Sequence, residues 1–198
     1  LAAAPDVGEV VAVLPLGATE QHGPHLPTGV DTVLVDGVVR AALPLLPPEL
    51  PVLVLPTQAV GLSPEHARFP GTLTLKNETI LRLWTDIAES VAAAGITRLV
   101  LFNSHGGNVS ALDIAARRLR IQHGLFVVNA MWARMGKPEA LRAPVEARFG
   151  IHAGRDETAV LLARVVMPLL REVGVRWADG RLAIAQERLV SSLLRTRL

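Results

Sequence analysis

Three stretches of this chain carry residues that can do chemistry. The first reads Pro15-Leu-Gly-Ala-Thr-Glu20-Gln-His22-Gly-Pro-His25-Leu-Pro27-Thr-Gly-Val-Asp31. Glu20 and His22 are two apart, which points both side chains to one side of an extended segment. Pro24, Pro27 and Gly29 turn the chain and can bring Asp31 back to the same point. Two carboxylates and an imidazole converging suit a divalent transition metal such as Zn, Mn or Fe. The same residues also read as a polar loop whose Asp31 caps the next helix. The second stretch is Asn103-Ser-His105-Gly-Gly-Asn108. Its glycines allow unusual angles or a close approach to a ligand. It could be a phosphate loop or a plain turn, but no Lys-Ser/Thr follows the glycines. The third is His152-Ala-Gly-Arg-Asp156-Glu157-Thr158. Here Glu157 suits the first turn of a helix, and His152 and Glu157 could face one cavity across a glycine turn.

The elements that must position these residues alternate. Glu9 to Pro15, Pro51 to Leu55, Arg98 to Phe102 and Leu125 to Asn129 read as buried strands. Between them lie helical patterns: Asp31 to about Leu46, capped by Asp31; Asn77 to Ala94, capped by Asn77 and stopped by Gly95; and Val109 to His123, ended by Gly124. A last helix is expected from Glu157 to about Val173, kinked at Pro168. Ala133 to Phe149 is the least regular stretch and reads as a flap. Alternating strands and helices predict βαβ units, a mostly parallel sheet and helices on both faces. In such sheets ligands bind beyond the carboxyl ends of the strands. The chemically unusual stretches fall there.

Composition narrows the class. The 198 residues are half hydrophobic, enough for a sizeable core, and are expected to form a single domain over residues 1–198. There is no cysteine, which excludes a disulfide scaffold, a thiolate nucleophile and any Cys-ligated metal. No apolar run reaches the roughly 20 residues of a membrane-spanning helix, and Leu1 to Gly8 does not read as a secretory leader. A cytoplasmic location and no membrane partner are expected. Net charge is +2, although the sequence pI is about 9.9. The basic residues are nearly all arginine, only Lys76 and Lys137 being lysine, and there is no tyrosine. Arg117, Arg118 and Arg120 lie in an amphipathic helix pattern without interleaved aromatics. They read as a solvated helix face rather than a nucleic-acid surface.

The order Glu20-Gln-His22-Gly-Pro-His25-Leu-Pro, Asp31, His66 with Phe69-Pro-Gly-Thr72, Asn103-Ser-His105-Gly-Gly-Asn108, and His152-Ala-Gly with Glu157-Thr158 resembles the creatininase family of amidohydrolases. The match runs from about Val10 to Leu162 and fades after about Ala163. The resemblance implies a three-layer α/β/α fold and two divalent ions (Zn, Mn or Fe) per chain. It also implies a homo-oligomer, often a hexamer. By motif position, Glu20, Asp31 and His105 would hold one ion, and His22, Asp31 and Glu157 the other, with Asp31 bridging. His152 would pass a proton to the leaving nitrogen, and Glu157 belongs to the same catalytic set. Creatininases proper carry Tyr-Glu where this chain has Gly106-Gly107, so Glu157 is expected to supply the remaining carboxylate. Only Trp132 matches a substrate-sandwiching tryptophan, which argues against creatinine itself as substrate.

His66 is expected to contact substrate, His25 to orient a ligand, and Asn103 and Asn108 to fix the histidine loop. His123 reads as a partner of its helix C-terminus, and Trp84 and Trp177 as packing. The implied activity is metal-dependent hydrolysis of a C–N bond in a small amide, cyclic amide or formamide. The alternatives are a peptidase of the same family acting on a modified peptide, or a metal-containing protein that only binds.

Overall fold

The computed structural model describes residues 6–135. A 3-10 turn, Val7–Glu9, leads into β1 (Val11–Leu16). Then follow α1 (Val30–Ala42), β2 (Val52–Val54), α2 (Asn77–Ala93), β3 (Arg98–Asn103), α3 (Val109–His123) and β4 (Phe126–Met131). The strands form a parallel sheet in the order β2-β1-β3-β4. This is the expected α/β architecture.

Alternation along the strands splits the molecule into layers. Ala12, Leu14, Leu16, Leu99, Leu101 and Val127 point to one face. They join Ile80, Trp84 and Ala88 of α2 and Leu112, Ala115 and Leu119 of α3 in one core. The other face carries Val13, Val54 and Val100, against Val38, Val39 and Ala42 of α1. Helices therefore cover both faces, and Trp84 is a core residue as expected. Leu101 is fully buried in the larger cluster. Leu101→Ala should destabilise the protein by about 2–5 kcal/mol, the usual cost of emptying a leucine site. Urea unfolding of the chelated protein checks this. A loss under about 1 kcal/mol would mean that this face is loosely packed.

Pro15 sits inside the central strand β1, where a missing N–H is usually costly. The register explains it: β1 pairs with β2 only as far as Val13↔Val54. Pro15 lies beyond that point, and its carbonyl still accepts from the Gln58 N–H at 3.0 Å.

Two caps differ from expectation. Gly29, not Asp31, is the N-cap of α1, and Asp31 lies in the first turn. Lys76, not Asn77, precedes α2, and Asn77 makes no capping bond. The α1 helix also stops at Ala42, where a 3-10 turn containing Pro44 takes over. Gly95 and Gly124 do adopt positive φ past α2 and α3, as expected. His123, in the last turn of α3, reaches Glu89 of α2 at 3.4 Å. Arg117 and Arg118 are exposed, and Arg120 donates to the Val127 carbonyl at 2.7 and 3.0 Å.

In the order β2-β1-β3-β4 the strand succession reverses between β1 and β3. At such a point α/β proteins bind ligands beyond the carboxyl ends of the strands. Leu16 pairs with Asn103 at that edge, so the loops after β1 and β3 emerge side by side.

Candidate metal centre

Glu20, His22, Asp31 and His105 meet at this edge of the sheet, and all four are buried. The loop after β1 is held by backbone bonds: Gly17 N–H to the Gln58 carbonyl, Glu20 N–H to the Thr28 carbonyl, and Leu73 N–H to the Thr19 carbonyl. A ligand atom from each of Glu20, His22 and Asp31 lies within 4.8 Å of the others. His105 Nδ1 stands 3.1 Å from Glu20 Oε1 and 3.1 Å from Asp31 Oδ2. His22 Nε2 stands 3.5 Å from Asp31 Oδ1. Asp31 thus faces both imidazoles, a position that a cap could not take. Its place in the first turn of α1 also favours a negative charge.

The imidazoles share one arrangement. His105 Nε2 is 2.9 Å from the Leu62 carbonyl and 3.2 Å from Ser63 Oγ. His22 Nδ1 is 3.1 Å from the Glu20 carbonyl. A carbonyl can only accept, so these outer nitrogens carry hydrogen. The inner nitrogens then direct their lone pairs at carboxylates. That is repulsive unless a proton or a cation lies between, and it is how proteins orient histidine ligands to metals. This donor set of carboxylate oxygens and imidazole nitrogens fits a divalent transition ion.

Electrostatics agree. Burial alone would raise the Glu20 pKa, but hydrogen bonds to and the charge of His105, with His66 and Ser63, hold it at about 2. Burial likewise opposes the charge on Asp31, yet His105 and His22 pull its pKa below the usual value. Burial would lower the His105 pKa, but Asp31 and Glu20 push it up to about 10. In the metal-free protein a proton therefore holds the cluster together.

Other expected residues fall around this centre. His66, in the 3-10 turn Pro64–His66, places Nδ1 2.7 Å from Glu20 Oε2 and so orients that carboxylate. Asn103 Nδ2 donates to the His105 carbonyl at 2.7 Å, and its Oδ1 accepts from the His105 N–H at 3.1 Å. Asn108 Nδ2 donates to Asn103 Oδ1 and to the Gly17 carbonyl, both at 3.1 Å, while its Oδ1 accepts from the Leu62 N–H. These two buried asparagines tie three loops together. Trp132 follows β4 and packs partly buried against Leu26, Val30 and Leu34. His25 is exposed and makes no hydrogen bond among the described residues, so it is not brought to the ligands expected of it. His152, Glu157 and Trp177, with the helix expected after Glu157, lie outside the described residues. So does the expected flap beyond Met135.

Ser63, Glu65 and the Leu62 carbonyl were missed by sequence reasoning. Glu65 stands beside His66 in a loop at a strand's carboxyl end, and that position is a usable signal. A backbone carbonyl leaves none.

Fold and site together define an α/β protein with a buried carboxylate–imidazole centre at the switch point of a parallel sheet. A family model described as creatininase, creatinine amidohydrolase, matches residues 1–172. The mycofactocin precursor peptide peptidase of Mycobacterium tuberculosis is 40% identical over 177 residues, covering 86% of this chain and 64% of that protein. The creatinine amidohydrolase of Pseudomonas putida is 32% identical over 172 residues, 79% of this chain and 65% of that one. A solved structure described as creatininase Mn superposes with a TM-score of 0.58 at 31% identity, covering 80% of this chain and 66% of that chain. The chain belongs to the creatininase family. It spans a little under two-thirds of the length of these curated relatives. Among the described residues, no helix is long and apolar enough to cross a membrane.

Proposed function

We propose that this protein is a divalent-metal-dependent hydrolase of a C–N bond, with two ions per chain drawn from Zn, Mn and Fe. The observation that carries this reading is His105 Nδ1, set 3.1 Å from each of two buried carboxylates with a backbone carbonyl behind its other nitrogen. A cation held there supplies Lewis acidity toward a carbonyl oxygen and lowers the pKa of water.

The chain's own residues have distinct tasks. Glu20, Asp31 and His105 would hold one ion, and His22, Asp31 and Glu157 the other. Asp31 supplies charge to both. His66 fixes Glu20, and the asparagine pair keeps His105 from turning. His66, in the turn beside the centre, and Trp132, just after β4, would meet the substrate. His152 hands a proton to the departing nitrogen, for which an ordinary imidazole pKa near 6.5 is well placed. Amide nitrogen leaves poorly without that proton.

The substrate class is a small amide, cyclic amide or formamide. A peptide substrate is the second reading, favoured by the 40% identity to the mycobacterial peptidase. The family resemblance supports a homo-oligomer, a hexamer by analogy, which light scattering would measure.

The test is turnover of full-length protein on creatinine, formamides, other amides and short peptides, before and after chelation. Chelation should abolish turnover, and added Mn or Zn should restore it. The substrate class that turns over decides between the readings. If nothing turns over in the metal-loaded protein, a binding role replaces the enzyme. His152→Ala should keep its metal and lose at least about 100-fold in kcat. An unchanged kcat would refute the proton-donor role.

A further inference from the structure

No step of the hydrolysis uses Phe69-Pro70-Gly71-Thr72, yet this stretch forms a locked turn beside the centre. The Thr72 N–H donates to the Phe69 carbonyl at 3.2 Å. Pro70 stands second in the turn and Gly71 third, at φ +88°. This is the pattern of a type II turn, whose third position needs a positive φ. The Phe69 N–H in turn donates to the His66 carbonyl at 2.9 Å.

The turn grips both neighbours of Glu20. The Leu73 N–H donates to the Thr19 carbonyl at 2.8 Å, and the Gln21 N–H donates to Thr72 Oγ1 at 3.2 Å. The backbone is therefore fastened on either side of this one carboxylate. Its side chain is held from the same segment, since His66 Nδ1 stands 2.7 Å from Glu20 Oε2. The Phe69 ring meets the His66 ring at 81°, with centroids 6.0 Å apart. Such edge-to-face packing opposes rotation of the imidazole, which would carry Nδ1 away from Glu20. Core packing does not account for Phe69. It is 50% exposed and belongs to neither buried cluster of the described residues.

We propose that Phe69 and Thr72 are positioning residues for Glu20. Thr72 fixes its backbone through Gln21, and Phe69 fixes its carboxylate through His66. The proposal rests on the reading of Glu20 as a metal ligand. Glu20 Oε1, 3.1 Å from His105 Nδ1, is then ordered before an ion arrives, and the ion does not have to order it.

The experiment measures the zinc affinity of the purified protein by competition against a chromophoric chelator, together with the EPR spectrum of bound Mn(II). Phe69→Leu and Thr72→Val should each weaken one bound ion by about 10-fold, the low end for groups that orient a metal ligand, and alter the Mn(II) spectrum. Phe69→Tyr keeps the ring and Thr72→Ser the hydroxyl, and both should bind as wild type. Because Phe69 acts through His66, Phe69→Leu should cost nothing further in a His66→Ala background, whereas Thr72→Val should still cost its full factor. Phe126→Leu, at an exposed phenylalanine at the start of β4, should match wild type. Chelated Phe69→Leu should melt with chelated wild type, which separates lost positioning from unfolding. If wild type binds metal and either variant binds it equally with an identical spectrum, the role of that residue is refuted and the metal centre stands. A full further loss from Phe69→Leu in the His66→Ala background would refute the route through His66. If wild type takes up no ion, the metal centre and the positioning role are both refuted.

Discussion

Asp31→Ala should lower the affinity for Zn(II) or Mn(II) by more than about 100-fold, more than the 10–100-fold typical of losing a group that only orients a ligand. Asp31 offers one oxygen toward each imidazole, 3.5 Å from His22 and 3.1 Å from His105. Its backbone position is fixed separately, since Ser104 Oγ donates to the Asp31 carbonyl at 2.7 Å. The side chain can therefore be removed without releasing α1. Asp31→Asn is the more conservative test, because it keeps the shape and loses only the charge. Calorimetric titration of the chelated protein measures both variants. Full retention of metal by either would end the bridging role of Asp31.

The second large effect is on pH. At neutral pH the metal-free His105 carries a proton, because the two carboxylates that face it push its pKa up to about 10. An incoming cation must displace that proton. Uptake at pH 7 should release about one proton per ion bound at His105, and affinity there should rise about 100-fold from pH 6 to pH 8. Titration in two buffers of different ionisation enthalpy counts the protons. Affinity that does not change with pH would contradict the arrangement.

Stability follows the same groups with opposite signs. The contribution of Glu20 is present above its ordinary pKa of 4.5 and is lost as pH falls toward about 2. That of His105 is full below its ordinary 6.5 and is lost as pH rises through about 10. In chelated protein the cluster therefore stabilises most between about pH 4.5 and 6.5. The gap in thermal midpoint between metal-loaded and chelated protein should widen from pH 6.5 upward.

Much of this centre was legible because two rules coincide. Strand patterning located β1 and β3, and ligands bind at the carboxyl ends of such strands. Glu20, His22 and His105 are polar residues in the loops there. The fate of Asp31 was ambiguous for a physical reason. A carboxylate near a helix start satisfies capping and helix dipole alike, and only the tertiary fold shows that it turns to His22 and His105. Leu62 was not legible, because its contribution is a carbonyl oxygen on His105 Nε2. Glu65 was not legible, because only the tertiary fold brings it near Glu20 and His105. His25 resembled its neighbours by type alone, and the turn at Gly23 leaves it exposed.

The central claim is that this buried carboxylate–imidazole centre holds divalent cations, and elemental analysis of the purified protein tests it most directly. The result is normalised to folded chain and repeated after reconstitution with Mn or Zn. About two ions per chain are expected, falling sharply in Asp31→Ala. No bound metal in the reconstituted wild type would contradict the account.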